Sequence, residues 1–142
     1  MKKIALTFFA AFFITFSFAQ QLKETQVPSA VRNGFYKEYP NITKVKWDKE
    51  KDKYEASFDV KNIPNSVLFS ASGSIIETET SISLSQLPKG VIEYVRTNYM
   101  GQKVVGAAKI TDAKGVATFE AEIKKGDLLF DTNGKFLKEV KR

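Results

Sequence analysis

The chain contains itself twice. Val27-Pro28-Ser29-Ala30-Val31 returns as Leu87-Pro88-Lys89-Gly90-Val91, a shift of 60 that also carries Phe35 onto Val95, Tyr39 onto Tyr99 and Val45 onto Val105. Farther on the shift is 61: Ala56-Ser57-Phe58 lies on Ala117-Thr118-Phe119, Leu68-Phe69 on Leu129-Phe130, Gly73 on Gly134, and Ile75-Ile76 on Phe136-Leu137. One extra residue in a turn accounts for the change. A pattern that recurs across most of a 142-residue chain requires a fold made of two like units.

Each copy opens with a proline at the expected start of a helix, where its preset φ fits and its missing N–H is not needed. Val27, Val31 and Phe35, with Ala30 and Gly34 beside them, make one apolar stripe at helical spacing; Leu87, Val91, Tyr94, Val95 and Tyr99 make the other. Pro40-Asn41 ends the first, and Gly101 is placed to end the second. The period then changes from 3.6 to 2. Lys44 to Asp48, Tyr54 to Val60, Val67 to Phe69 and Ile75-Ile76 read as strands, with Ile63-Pro64-Asn65 as a break. Val104 to Ile110, Val116 to Ile123, Leu128 to Phe130 and Phe136 to Val140 repeat them, and Asn133-Gly134 predicts a type I′ hairpin. Connections this short require antiparallel pairing. The expected fold class is α+β, two tandem helix-then-antiparallel-strands repeats with about eight strands in all and helices on one face. The boundaries read as 1–19 leader, 20–26 N-terminal arm, 27–83 first repeat and 87–142 second repeat.

The leader has the layout of a secretory signal peptide: Met1-Lys2-Lys3, an apolar run from Ile4 to Phe16, then Ser17-Phe18-Ala19 as a cleavage site. The run is shorter than the roughly 20 apolar residues of a spanning helix, so the expected destination is the periplasm or the exterior, with no membrane insertion after cleavage. Loss of Lys2 and Lys3 lowers the formal net charge from +6 to +4. The remaining lysines are scattered among acids, so no nucleic-acid partner is expected. There is no cysteine and no histidine. Stability must come from packing, and thiol chemistry, zinc–thiolate sites and histidine catalysis are excluded.

The helix start Val27-Pro28 with Tyr39-Pro40, then Val45-Lys46-Trp47, the strand Tyr54-Glu55-Ala56-Ser57-Phe58 and the hairpin Leu129 to Leu137 with its Asp131-Thr132-Asn133-Gly134 turn carry a family resemblance. The plan resembles the PepSY-like, beta-lactamase-inhibitor-like tandem domains of Bacteroidota envelope proteins, across most of residues 27–142. The resemblance implies an exported protein with no catalytic motif. It also implies use of an open sheet face to grip another protein, as the namesake inhibitor does. Some members are described as calcium-regulated.

Three functional expectations follow. The first is a non-enzymatic module that binds an envelope or extracellular protein through a sheet face or edge. Its candidate contacts are Trp47 and Tyr54, placed near the rim of a hairpin, with Glu55, Ser57 and Asp59 on the open face. Tyr and Trp are favoured anchors in interfaces. The second is a calcium-responsive protein with oxygens from Asp127, Asp131 and Asn133, a set far short of a complete calcium loop; no other cofactor is expected. The third is a hydrolase using paired carboxylates, Glu55 with Asp59 or Glu120 with Glu122, although alternation of this kind is also how a sheet keeps one face wet.

Overall fold

The computed structural model describes residues 20–141; the expected leader, 1–19, and Arg142 lie outside the described residues. Among the described residues two α-helices, α1 (Ser29–Glu38) and α2 (Val91–Asn98), accompany nine strands. The strands are β1 (Gln20–Leu22), β2 (Lys46–Glu50), β3 (Lys53–Val60), β4 (Ile63–Ser70), β5 (Ile75–Ser81), β6 (Gly106–Asp112), β7 (Ala117–Ile123), β8 (Gly126–Phe130) and β9 (Phe136–Lys141). They form one antiparallel sheet in sequence order from β1 to β9. The two repeats are halves of a continuous sheet.

Both helices cover the same side. Directly opposed residues in an antiparallel pair share a face, so the register can be followed across the sheet. Val67 under α1 stands opposite Thr78, Thr78 opposite Thr111, and Lys109, two residues along, opposite Phe119 beneath α2. Under α1 the core is Val27, Val31, Phe35, Trp47, Ala56, Phe58, Val67 and Phe69. Under α2 it is Leu87, Val91, Val95, Ala107, Ala121, Ile123, Leu128 and Phe130. Phe35 is the hub of the first, with ring centroids 5.0 Å from Phe58 and 5.4 Å from Trp47, both edge-on.

The strand count is nine, where about eight were expected. The ninth comes from the stretch read as an arm, and it obeys the repeat. Gln20 pairs with Lys49 as Thr80 pairs with Lys109, and Gln21 with Asp48 as Ser81 with Ala108, each displaced by 60. Leu22 and Ile82 then pack on their respective cores. After each, a 3₁₀ turn closes with a glutamine side chain: Gln26 Oε1 accepts from the Lys23 N–H at 2.8 Å and Gln86 Oε1 from the Ser83 N–H at 2.9 Å. A three-residue polar strand, Gln-Gln-Leu, carries too little alternation to be read from sequence alone.

Other local expectations are corrected. β4 runs straight through Pro64, read as a break. The two-residue turn Lys61-Asn62, with φ of 52° and 64°, is the type I′ hairpin, so Val60 and Ile63 form the hydrogen-bonded pair and the Pro64 nitrogen faces β5. The β4–β5 ladder begins only at Asn65 with Thr80, so the missing N–H removes no ladder bond. At Asn133-Gly134 only the glycine has positive φ, 81°, which is not a type I′ turn. Instead Asp131 Oδ1 accepts the N–H groups of Asn133 and Lys135, both at 2.9 Å. The proline at each helix start also sits outside the helix: Pro28 has extended ψ of 141°, and the α2 helix starts after Gly90 at φ 91°.

Candidate functional site

The side of the sheet without helices presents ordered rows. Asp48, Glu55, Leu68, Glu77 and Asp112 stand opposite one another from β2 to β6. The next row runs Lys46, Ser57, Ser66, Glu79, Ile110 and Thr118. A third follows through Ala108, Glu120, Leu129 and Lys138. Acids dominate this face, although the chain as a whole is positive. Lys46, Lys53 and Lys138 are the bases among them.

Among the described residues no helix covers this side, yet Leu68 and Ile110 are each only 8% exposed. Carboxylates stand beside them: Glu55 and Glu77 oppose Leu68, and Glu79 opposes Ile110.

Two carboxylates of this side are desolvated. Burial raises the Glu55 carboxyl above the usual range, the charges of Glu50 and Asp48 push the same way, and a hydrogen bond with Ser66 and the charge of Lys46 oppose. Burial pushes Glu77 up to about 7, helped by Glu79 and Asp112 and resisted by Lys138 and Lys53. Asp48 is buried and paired to Lys46 at 2.9 Å. The surface can therefore attract cations, bury aliphatic carbon beside them, and take up a proton near neutrality.

The five expected contact residues do not share this surface. Glu55, Ser57 and Asp59 lie on the helix-free face, Asp59 at its exposed end. Trp47 and Tyr54 point the other way, because Trp47 opposes Ala56 and Tyr54 opposes Phe69 on the helix side. Trp47 is 2% exposed: the small Ala56 beside it leaves room for the indole beneath α1. It is a core residue, not a rim contact. Tyr54 is half-buried against the same core. Glu77 and Glu79 were missing from the sequence reading, which ended that strand at Ile76. The alternation Glu77-Thr78-Glu79-Thr80 was the available signal.

The expected calcium ligands do not converge. Asp127 and Asp131 are four residues apart along β8 and its turn, about 13 Å at strand rise. Asp127 is buried on the helix-free face opposite Glu122, while Asp131 holds its own turn. Asp112 builds the same turn, its Oδ1 accepting from Lys114 and Val116 at 2.8 and 2.9 Å. The Asp-x-x-Gly element is thus a backbone device. Among the described residues no group of three or more acids could hold a metal ion, and no helix is long and apolar enough to cross a membrane.

Comparison with known proteins agrees with the fold. A Bacteroides eggerthii protein named as periplasmic superposes with a TM-score of 0.71 at 18% identity, covering 81% of this chain and 88% of its own. A DUF2874 family protein from Bacteroides uniformis gives 0.70 at 19%, covering 80% and 88%. A BLIP-like protein from Bacteroides fragilis gives 0.63 at 26%, covering 80% and 86%. Among curated proteins none matches the chain. The sequence profile of the beta-lactamase-inhibitor-like, PepSY-like family matches twice, over residues 17–76 and 52–138, and the chain belongs to that family.

Proposed function

We propose that this chain is an exported, non-enzymatic module that binds a protein in the periplasm or outside the cell on the helix-free face of its sheet. The observation that carries this reading is the face itself. Both cores lie on the opposite, helix side of the sheet, while this side keeps the apolar residues Leu68 and Ile110 with no described helix over them. The signal-peptide layout of the leader and the periplasmic name of the B. eggerthii relative support the location. The BLIP-like name of the B. fragilis relative supports a protein partner. The absence of histidine and cysteine from the sequence supports binding over catalysis.

The test is affinity capture of the tagged full chain from the envelope in which it is expressed. Ser57→Trp, a neutral bulk placed on the face, is expected to lose a partner that wild type and Ile92→Trp, on the outside of α2, both retain. Thr118→Trp serves as a second face variant. Equal retention by all folded forms would overturn the reading.

A further inference from the structure

The two repeats do not end alike, and their differences gather at one end of the sheet. Because the strands alternate in direction, that end holds the β3–β4 and β7–β8 turns, the 3₁₀ turn after β5 and the loop from α2 into β6. Asn65 pairs with Thr80 as Gly126 pairs with Lys141. Across their hairpins Asn65 pairs with Phe58 and Gly126 with Ile123. The β7–β8 hairpin turns at that level. The β3–β4 hairpin runs on through Asp59 with Pro64 and Val60 with Ile63, so its tip projects about 7 Å farther at strand rise.

Apolar side chains stand exposed on these differences. Ile63 is 46% exposed at the projecting tip, and Leu84 is 42% exposed where the first repeat has Glu24. Met100 is 87% exposed where the first repeat has Pro40, and Val105, in the same loop, is 67% exposed. Glu24 and Pro40 show that the repeated fold needs no large apolar side chain at those two positions. Since β4, β5 and β6 are neighbours, Ile63, Leu84 and Val105 follow one another along the middle of this end.

Exposed lysines flank them on both sides: Lys44, Lys61, Lys103, Lys124, Lys125 and Lys141. Of the acids here, Asp59 and Glu122 lie inside strands, Glu38 ends α1, and Glu24 accepts from the Tyr36 hydroxyl at 2.9 Å. At the opposite end Lys51, Lys114 and Lys135 are matched by Asp52, Asp112 and Asp131 in or beside the same turns. The positive charge of the chain is therefore weighted to the end that also exposes apolar carbon.

We propose that this end of the sheet seats the protein on an anionic lipid surface. Ile63, Leu84, Met100 and Val105 enter the boundary between headgroups and acyl chains, and the lysines meet the lipid phosphates. An acidic peptide would leave the projecting apolar tips in water, and a neutral apolar surface would leave the lysines unmatched. An anionic bilayer supplies both layers, and a lysine stem can lie along the boundary with its ammonium at the phosphates. Apolar burial and attraction to anionic lipid act together in such peripheral binding. The contact is at the end of the sheet, so the helix-free face stays clear of the bilayer.

The experiment is co-sedimentation of the exported chain, every form with the same N-terminus, with vesicles of two parts phosphatidylcholine to one part phosphatidylglycerol. Physiological salt limits charge effects to about 8 Å. Lys103→Gln/Lys124→Gln/Lys125→Gln should weaken binding roughly tenfold or more, the scale of three lysines leaving an anionic surface. Met100→Ser/Val105→Ser should also weaken it, by roughly tenfold, as two side chains leave the interface. Lys89→Gln/Lys114→Gln/Lys135→Gln makes the same charge change at the other end, and Ile92→Ser removes an exposed apolar side chain from α2; both should stay within about twofold of wild type. All the substituted side chains are exposed, so the forms should melt as wild type does. No binding to these vesicles, equal binding to pure phosphatidylcholine, equal loss in the two lysine triples, or wild-type binding by Met100→Ser/Val105→Ser would overturn the proposal. Decaglutamate bound as tightly as the vesicles, with the apolar substitutions silent, would overturn it in favour of an acidic protein.

Discussion

Gly34, in the middle of α1, rests directly on Gly73, in the β4–β5 turn, with backbone against backbone. A β-carbon at Gly34 would overlap the Gly73 carbonyl oxygen, and one at Gly73 would overlap the carbonyl of Ala30. In the second repeat the position of Gly34 is Tyr94, whose ring instead stacks on Phe136 at 5.0 Å. There Gly134 meets the carbonyl of Lys89 at the start of the helix. The hairpin glycine thus approaches a backbone carbonyl in both halves, and the helix residue above the hairpin is a glycine in one and a stacked tyrosine in the other.

Gly34→Ala is expected to destabilise the fold by roughly 1–3 kcal/mol, as overpacking against rigid backbone does. Gly90→Ala meets no atom within 4 Å but has φ of 91°, and is expected to lose about 1–2 kcal/mol from backbone strain alone. Denaturant unfolding of the two variants checks the order.

Trp47→Ala should cost about 3–5 kcal/mol, the range for removing a buried aromatic. Its indole Nε1 is buried without a hydrogen-bond partner, so Trp47→Phe should cost markedly less than volume alone implies. Partner capture by Trp47→Phe should equal wild type at a temperature where both are folded. A selective loss of capture would return Trp47 to the interface.

Asp131→Ala removes the acceptor of two backbone N–H groups and is expected to cost about 1–3 kcal/mol, with Asp131→Asn less damaging. Millimolar calcium should leave the melting temperature of wild type unchanged. A rise with calcium that Asp131→Ala abolishes would show the turn acting as a ligand instead.

Glu77 gives a pH dependence of defined sign. Its carboxyl titrates near about 7 when folded and near 4.5 otherwise, so the folded state holds the proton more tightly. The associated stability is complete below 4.5 and is lost as pH rises through about 7. Glu77→Gln should therefore exceed wild type at pH 8 by about 1 kcal/mol, a figure discounted because the group is still partly open to solvent. At pH 4 the two should melt together. Thermal scans at both values decide it.

The parts of this structure that obey strict alternation were legible before the coordinates. Tyr54 to Val60 reads correctly because its two faces differ in polarity, and the same parity assigns Glu55 and Ser57 to the open side. Trp47 misled because alternation fixes parity within a strand and leaves open which face is covered; only pairing with Ala56 settles that. Glu77 and Glu79 were hidden because threonine between them is neither clearly apolar nor clearly wet.

The most direct test of the central claim is to ask which side of the sheet touches another protein. A photo-crosslinking residue is placed in the full chain at Ser57 or Thr118, on the helix-free face, or at Lys37 or Ile92, on the outer side of the helices, and activated in intact cells. The account requires a defined protein adduct from the first two positions and none from the second two. Adducts only from Lys37 or Ile92 would contradict it and move the binding surface to the helices.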